Sequence, residues 1–406
     1  MKQKTKIAFV DDNINPNSQG ILAGVTEYSR DKGDWELIFW PDVSAPSLSF
    51  LKKKGCKGAF IRAQTFAKAK ELVQLRIPIV VLAAMQETLE LPFITADSEQ
   101  LARMAGDYLL RKGFKNFAFF GEDRARWSRE RMQHFSSYLN EAGYTVHIFK
   151  EETVPAANAP APYTRLWTST TLEAGQQKAA EWLRRLPKPV AALAACDMLG
   201  CHLSNLVIEA GFAIPDQVAV LGVDNDQAIC NICDPPLSSI ALNYRKAGYD
   251  AARLLDGIIC GRQKMQGQCV KIQPTHVEAR GSTDIFSIDD AEIVHALKYI
   301  RQRSNQPMQV EEIASHVCIS KRSLQLKFQK ALGRSIHTEI VQAHFEVART
   351  LLLETNLSID EIAIRSGFHY TSNMRRAFKQ ICGLLPQKYR QQHRPHYGAA
   401  GNRGRL

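Results

Sequence analysis

Short apolar segments alternate with amphipathic ones along the first two thirds of the chain. Residues 5–10 (TKIAFV) and 35–40 are apolar enough for buried strands, and residues 20–31 between them have the spacing of an amphipathic helix. The same alternation continues with strands at 55–63, 78–83, 93–96, 116–121, 144–150, 191–196 and 218–223, and with helices at 98–111, 129–142, 171–186, 199–210 and 244–259. This order predicts parallel sheets covered on both faces. Because the units form two successive sets, we predict an α/β core of two doubly wound lobes over residues 1–275.

From residue 290 the apolar spacing becomes helical throughout. After a polar, Gly-containing linker at 276–289, the pattern predicts an all-α domain over 290–392 that contains two helix-turn-helix units. Its helices are expected at 290–304, 308–317, 320–331, 336–354, 359–366 and 371–382. The basic, Gly-rich tail at 393–406 is expected to be disordered.

The second helix of each unit is predicted to turn a polar face outward. In the second unit Met374, Ala377, Phe378 and Ile381 are expected to form the interior. The outward side chains are Lys321, Arg322, Gln325 and Gln329 in the first unit and Thr371, Ser372, Arg375, Arg376 and Lys379 in the second. Such side chains bond bases and phosphates, although a solvated face is an equal alternative for any one of them. Together the two units predict a DNA-binding domain whose reading helices enter major grooves about one duplex turn, ~34 Å, apart.

The charge distribution supports this interpretation. The chain of 406 residues carries a net charge of +11, and residues 285–406 account for +8 of it with 18 Lys and Arg against 10 Asp and Glu. A basic pole on helix-turn-helix spacing favours a polyanion such as double-stranded DNA. Neither a signal peptide nor a membrane-spanning run is recognisable, and the nine scattered cysteines are typical of reduced thiols. We therefore expect a cytoplasmic protein that does not contact the membrane.

Polar residues follow several predicted strands, where doubly wound sheets bind their ligands. They are Asp11 with Asp12, Asp97, Glu122, Asp197, and Asp224 with Asn225. A helix N-cap is the alternative for Asp97 taken alone, but recurrence at strand after strand favours a ligand cleft. Carboxylates and amides bind vicinal hydroxyls, and an aromatic ring such as that of Trp127 can cover an apolar sugar face. The cleft is therefore predicted to bind a sugar.

No motif typical of an enzyme on such a sheet is present. The Gly-rich dinucleotide fingerprint, the phosphate-binding loop, GxSxG and HExxH are all absent from the sequence. The histidines are dispersed, so His134 and His202 are interpreted as packed or surface residues. We assign no catalytic residue, no cofactor and no metal. A sugar-binding or sugar-processing enzyme with a helical appendage is the alternative, and a sugar-transport component would require export.

Four segments resemble the ligand-binding core of lactose and galactose repressor relatives. They are RWSRER (126–131), AALAACDMLGCHL (191–203), GVDND (222–226) and DPPLSSIALNYRKAGYDAARLL (234–255). The resemblance implies the periplasmic-binding-protein type I fold. The N-terminal DNA-binding headpiece of those relatives does not precede the first strand, so the DNA-binding segment is expected elsewhere in the chain.

The last hundred residues resemble the DNA-binding domain of the arabinose-regulator (AraC) family. The matching residues are IAIRSGF (362–368), Phe378-Lys379, Gly383, Pro386 and Tyr389-Arg390, in the order of the family. Before the Phe-Lys pair the family often carries Tyr-Phe, whereas this chain has Asn373 and Met374. Methionine is flexible and apolar, so Met374 is expected to fill the same core space.

A sugar core of this kind joined to this DNA-binding domain is the architecture of the xylose operon regulator family, which the sequence resembles along most of its length. RGSTD (280–284) and LKYIR (297–301) are further matches. The resemblance implies a sugar-responsive activator that dimerises through its N-terminal core, binds operator DNA, contacts RNA polymerase and takes xylose or a similar pentose. By position it implies ligand contacts at Arg126, Trp127, Arg131, Asp197, Asp224 and Asn225; the strand-end argument alone supports Asp11 and Asp12.

Overall fold

The computed structural model describes residues 4–11, 15–41, 51–62, 76–82, 91–122, 125–150, 169–288 and 290–393. The chain divides into two compact units. The first comprises the residues up to Leu110 together with Phe114–Ile285, and the second comprises Arg111–Gly113 and the chain from Phe286. Apart from its first residue, the predicted tail at 393–406 lies outside the described residues.

The first lobe of the first unit contains a six-stranded parallel sheet. Its strands are β1 (Thr5–Val10), β2 (Trp35–Trp40), β3 (Gly58–Arg62), β4 (Ile79–Leu82), β5 (Phe93–Ala96) and β11 (Cys269–Ile272), in the order β11-β5-β4-β3-β1-β2. Two helices, α1 (Pro16–Lys32) and α7 (Tyr244–Ile259), pack against each other nearly backbone to backbone. Glycine permits this approach, because a Cβ atom on Gly24 would lie 1.9 Å from the carbonyl oxygen of Arg245.

The second lobe contains another six-stranded sheet. Its strands are β6 (Phe117–Gly121), β7 (Val146–Lys150), β8 (Val190–Ala194), β9 (Val218–Asp224), β10 (Ser238–Leu242) and β12 (Pro274–Glu278), in the order β12-β10-β9-β8-β6-β7. All neighbours are parallel except β10 and β12. The helices of this lobe are α2 (Ser98–Arg111), α3 (Arg126–Glu141), α4 (Ser169–Arg185), α5 (Asp197–Glu209) and α6 (Gln227–Ile232). Strand β8 has the sequence VAALA and is buried at every position. A strand this apolar requires that both faces of the sheet be covered.

The chain crosses between the two lobes at three adjacent points, which form a hinge. The crossings are at Asp97 after β5, at Asn243 after β10 and at Gln273 after β11. The Asp97 N–H donates to the Ile272 carbonyl and the Asn243 N–H to the Gln273 carbonyl, both at 2.9 Å. The Gln273 side-chain amide also donates to Asp97 Oδ2 at 3.2 Å. Asp97 accepts the N–H of Gln100 at 3.3 Å, so it caps a helix and joins two crossings at once.

The second unit is helical. Its helices are α8 (Ala291–Gln302), α9 (Val310–His316), α10 (Lys321–Leu332), α11 (Ile336–Glu354), α12 (Ile359–Arg365), α13 (Thr371–Cys382) and α14 (Pro386–His393). One core gathers around Leu324 and Phe328 in the first helix-turn-helix unit, and the other around Met374 and Phe378 in the second. The long helix α11 contributes to both cores, so it joins the two helix-turn-helix units.

The predicted fold class is confirmed, and the differences are local. Helices α2, α7, α11 and α13 have the predicted bounds, and Met374 is fully buried as expected. The sequence did not predict the short α6, the pairing of β10 to β12, or α14. The prediction that Ile381 is interior is wrong: the residue is 38% exposed, because Cys382 takes the inward position in the last turn of α13.

The predicted linker at 276–289 is largely structured. Its first residues belong to β12, which pairs antiparallel with β10. Ser282 follows in a 3₁₀ turn, is fully buried and donates its hydroxyl to the Val220 carbonyl at 2.6 Å. A polar composition does not exclude burial when each polar group finds a partner. Residue 289 lies outside the described residues.

Candidate ligand cleft and nucleic-acid interface

Two consecutive residues at the end of β9 have positive backbone φ angles. Asp224 has a φ of 111° and Asn225 a φ of 55°. Such conformations cost on the order of 1–3 kcal/mol per residue and persist where the surroundings hold them. Here the Asp224 carboxylate accepts the Tyr244 hydroxyl at 2.7 Å and lies 3.7 Å from the Arg131 guanidinium. The Asn225 N–H donates to Ser239 Oγ at 3.0 Å. The strained turn therefore aims a carboxylate at a preformed set of partners.

Asp197 lies beside this turn at the start of α5 and is buried. Its carboxylate accepts the Asp226 N–H at 2.7 Å and the Ser239 hydroxyl at 2.5 Å. Gly222 leaves the room for it, since a Cβ atom there would lie 2.2 Å from Asp197 Oδ1. Burial is the main reason that the pKa of Asp197 rises to about 8, and the nearby Asp224 carboxylate raises this pKa further. The pKa of Asp197 is therefore raised towards neutral pH, while Asp224 faces the cation.

Arg131 is the buried cation of the cleft. Its guanidinium donates to the Ala195 carbonyl, faces Asp224 and lies 5.0 Å from the centroid of the Trp127 ring. Burial raises the pKa of Asp224, and the Arg131 charge opposes that effect. Arg131, Asp197, Asp224, Asn225, Ser239 and Tyr244 are joined by hydrogen bonds and by the ion pair of Arg131 with Asp224, and we call this set the Asp224 network.

Arg126 makes its contacts outside the Asp224 network. Its Nε atom lies 2.6 Å from Glu130 Oε1, and its guanidinium lies 5.2 Å from the centroid of the Phe93 ring. Phe93 begins β5 of the first lobe, whereas Arg126 begins α3 of the second. Arg126 is thus a contact between the lobes.

The first lobe contributes a second polar group to the cleft. Asp11 follows β1, is buried and accepts Arg62 Nε at 2.8 Å. Arg62, the last residue of β3, also donates to the Ser18 hydroxyl. The preceding residue, Asn17, lies close enough for its side chain to lower the pKa of the Asp224 carboxyl through hydrogen bonding. This chain of contacts places the start of α1 beside the turn at the end of β9. Asp12 lies outside the described residues.

Four of the eight predicted ligand residues, Arg131, Asp197, Asp224 and Asn225, lie in one network. Five further polar residues that contact this network or Asp11 were not identified from the sequence: Asn17, Arg62, Ser239, Tyr244 and Arg280. The Arg280 guanidinium donates to Asn225 Oδ1 at 2.8 Å. Arg62 ends strand β3, and Tyr244 comes two residues after the end of strand β10. Both could have been predicted from these positions if cationic and phenolic side chains at strand ends had been considered together with carboxylates and amides. Arg280 begins the segment RGSTD noted in the sequence, but it does not follow a strand of the predicted sheets.

The second unit presents its predicted reading residues on α10 and α13. Lys321, Arg322, Gln325 and Gln329 are exposed on α10, and Ser372, Arg375, Arg376 and Lys379 are exposed on α13. Thr371 is half-buried and donates its hydroxyl to Asp360 of α12. We call the exposed side chains of α10 and α13 the reader surface.

The two helices of the reader surface differ in how their charges are paired. On α10 the Lys321 ammonium lies 2.5 Å from Glu311 of α9. Among the ion pairs of the described residues, none involves Arg375, Arg376 or Lys379. The α13 side therefore offers the more available positive charge to a polyanion.

Gly367 and Arg390 fix two different segments of the second helix-turn-helix unit. Gly367 has a φ of +78°, and a Cβ atom there would lie 2.6 Å from His344 Nε2. Arg390 of α14 donates to the Leu352 and Leu357 carbonyls at 3.3 and 2.6 Å, which satisfies groups around the end of α11. The glycine therefore fixes the turn before α13, and the closing arginine joins α14 to the end of α11.

Comparisons with known proteins match both units. Residues 107–283 match a periplasmic binding protein-like domain, and residues 313–392 match a helix-turn-helix domain. The xylose operon regulatory protein of Haemophilus influenzae is 30% identical over 302 residues, which cover 74% of each chain. The chain belongs to the xylose operon regulatory protein family. The Escherichia coli K12 member is 28% identical over 381 residues, covering 91% of this chain and 93% of its own.

A solved structure extends the likeness of fold to nearly the whole chain. The structure of the xylose-binding transcription activator xylR covers 97% of this chain and 100% of its own, with a TM-score of 0.57 and 24% identity. Family membership and the two domain matches make this chain a DNA-binding transcription regulator with a sugar-binding type of core. Within the described residues no helix is long and apolar enough to cross a bilayer.

Proposed function

We propose that this protein is a sugar-responsive, sequence-specific activator of sugar-catabolism genes, with xylose or a similar pentose as its effector. The observation that carries the proposal is the coexistence, in one chain, of the buried Asp224 network and the unpaired cations of α13. The relatives matched are transcription regulators, so we assign no catalytic activity. It acts in the cytoplasm as a homodimer joined through its first unit, and contacts RNA polymerase at the promoter.

The charge balance of the cleft favours a neutral ligand. The Arg62 guanidinium is paired with Asp11, the Arg131 guanidinium faces Asp224, and the Arg280 guanidinium is hydrogen-bonded to Asn225 Oδ1 and to the Leu237 carbonyl. A phosphorylated sugar would need a cation released from one of these pairs, which costs the desolvation of the carboxylate left behind. The hydroxyl groups of a neutral sugar can instead join the existing hydrogen bonds.

Control of DNA binding follows from differential affinity. Asp11 and Arg62 belong to the first lobe and the Asp224 network mainly to the second, so a sugar held by both groups stabilises the arrangement in which the lobes are close. A ligand shifts an equilibrium only by the difference in its affinity for the two arrangements. Sugar-dependent activity therefore requires that the closed arrangement of the dimer binds its operator better than the open one.

The test begins with calorimetry on the full chain. D-xylose, L-arabinose, D-ribose, D-glucose and xylose 5-phosphate are titrated separately, and we expect a neutral pentose to bind most tightly. Asp224→Asn should weaken that binding at least about tenfold, as expected for the loss of a charged hydrogen-bond partner. Asp250→Asn is the matched control, because Asp250 pairs with Lys246 and Arg253 on α7 and makes no contact with the Asp224 network.

The second stage measures binding to DNA from upstream of the gene for this chain and of neighbouring sugar-catabolism genes, with and without the best sugar. We expect tighter binding and higher promoter output with sugar. Equal affinity and equal output in both conditions would remove sugar control from the proposal. Conversion of the sugar during incubation, followed by chromatography, would support the enzyme alternative instead.

A further inference from the structure

Tyr244 occupies an unusual position, because it belongs to one lobe and bonds to the other. It is the first residue of α7, which packs on α1 and against β3 of the first lobe. The packing is tight: a Cβ atom on Gly248 would lie 2.1 Å from the Ile21 carbonyl oxygen, and one on Gly20 would lie 2.7 Å from Tyr244 Cβ. Tyr244 therefore moves with the first lobe and has little room to move by itself.

The partner of Tyr244 lies in the second lobe. Asp224 ends β9, in the middle of the second sheet, and accepts the Tyr244 hydroxyl at 2.7 Å. The Asn17 side chain of α1 approaches the same carboxylate and lowers its pKa. Both contacts cross the cleft, and both converge on a residue whose φ of 111° already shows that its surroundings hold it in place. The two lobes are thus joined by protein atoms at the centre of the ligand cleft.

We propose that Tyr244, assisted by Asn17, is an inter-lobe latch that holds Asp224 and favours the closed arrangement of the two lobes. The inference deepens the proposed function, since it concerns the same cleft, and only its sugar-binding consequence rests on that function. A latch of this kind raises the fraction of molecules already competent to bind. The apparent dissociation constant for the sugar is inversely proportional to that fraction, so it falls as the fraction rises. Tyr244 is a positioning residue in this role.

The variant Tyr244→Phe removes the hydroxyl and keeps the ring. Tyr249→Phe is its matched control: Tyr249 lies on the same helix, and its hydroxyl donates to Asp31 at 3.1 Å, but both residues belong to the first lobe. The two variants therefore each remove one tyrosine–carboxylate hydrogen bond, and only Tyr244→Phe removes one between lobes. Asn17→Ala provides a second variant that weakens the same latch without changing Tyr244.

The decisive measurement is hydrogen–deuterium exchange on the full chain in sugar-free buffer. We expect Tyr244→Phe, and to a smaller extent Asn17→Ala, to speed exchange at the hinge around Asp97, Asn243 and Gln273 and in the loop after β9. Tyr249→Phe should leave those segments as in the parent chain. With D-xylose as the probe, Tyr244→Phe should weaken binding about tenfold and Tyr249→Phe less than twofold.

The outcomes separate the latch from other roles. If Tyr244→Phe and Asn17→Ala leave hinge exchange unchanged while Tyr244→Phe still weakens xylose binding, Tyr244 is a sugar contact and the latch is rejected. If Tyr249→Phe speeds hinge exchange as much as Tyr244→Phe, the effect is general loosening of α7 and the latch is again rejected. If no sugar binds the parent chain, the proposed function fails, but the exchange difference still decides the latch.

Discussion

The unpaired cations of α13 give the DNA-binding proposal a quantitative test. Arg375→Ala, Arg376→Ala and Lys379→Ala, singly and together, remove positive charge from the exposed side of this helix. Each phosphate contact contributes about 0.9 to the slope of log K against log salt. Consider the ratio of the binding constant at 50 mM salt to that at 200 mM salt. One lost contact makes this ratio about 3.5-fold smaller, and three lost contacts make it about 40-fold smaller.

The assay does not require the operator sequence. Fluorescence anisotropy of the full chain on a 40-base-pair duplex of mixed sequence, repeated over that salt range, measures the slope directly. Lys327→Ala is the matched control, because it removes the same charge, yet Lys327 is held by Asp290 at 2.6 Å and by Glu292 at 2.5 Å. The control should keep the parent slope.

Two results would refute the reasoning. A triple variant that keeps the parent slope would show that α13 does not face phosphates. A slope that falls equally in Lys327→Ala would show that only net charge matters. Folding is not expected to confound the comparison, since exposed side chains away from structural contacts change stability by roughly 0.5 kcal/mol or less.

Three further predictions concern stability. The pKa of Asp197 is raised to about 8 from an unfolded value of about 3.9. Its contribution to stability is therefore present in acid and is lost as pH rises towards 8. Between pH 5 and 9 the melting temperature should fall less steeply in Asp197→Asn than in the parent chain. Gly367→Ala should destabilise the second unit by more than Gly383→Ala, since both have positive φ but only Gly367 faces a clash, with His344; melting of the two variants compares them. Arg390→Ala should cost about 1–3 kcal/mol by leaving carbonyls around the end of α11 unpaired, measured by urea unfolding with the first-unit transition unchanged.

The sequence predicted the elements of the fold well where one periodicity runs for several turns. Helices such as α7 and α11 have the predicted bounds because their apolar positions repeat over 16 and 19 residues. Short elements were missed for the same reason: α6 has 6 residues and β11 has 4. Strand β11 also joins the first sheet only because the chain has returned to the first lobe at Asn243, and a crossing of that kind leaves no local pattern.

The candidate sites differ in what the sequence could provide. On α13, helical spacing separates the buried Met374 and Phe378 from the exposed Arg375 and Arg376, so periodicity identifies most of the reader surface. It fails only near the ends of the helix, at Thr371 and Ile381. In the cleft, the bond from Tyr244 to Asp224 depends on which lobe α7 joins. An aromatic residue at the start of a helix otherwise indicates only core packing.

The two sites also hold their charges differently, which makes their coupling measurable. In the cleft the pair of Arg62 and Asp11 is largely buried, with side-chain exposures of 12% and 0%, and salt screens such pairs little. The cations of α13 are exposed, and their interactions fall steeply with salt. Sugar affinity of the free protein should therefore be nearly independent of salt between 50 and 200 mM. Sugar and DNA must change each other's affinity by the same factor. Any salt dependence of sugar affinity that arises only when DNA is present therefore reports the coupling between the two sites.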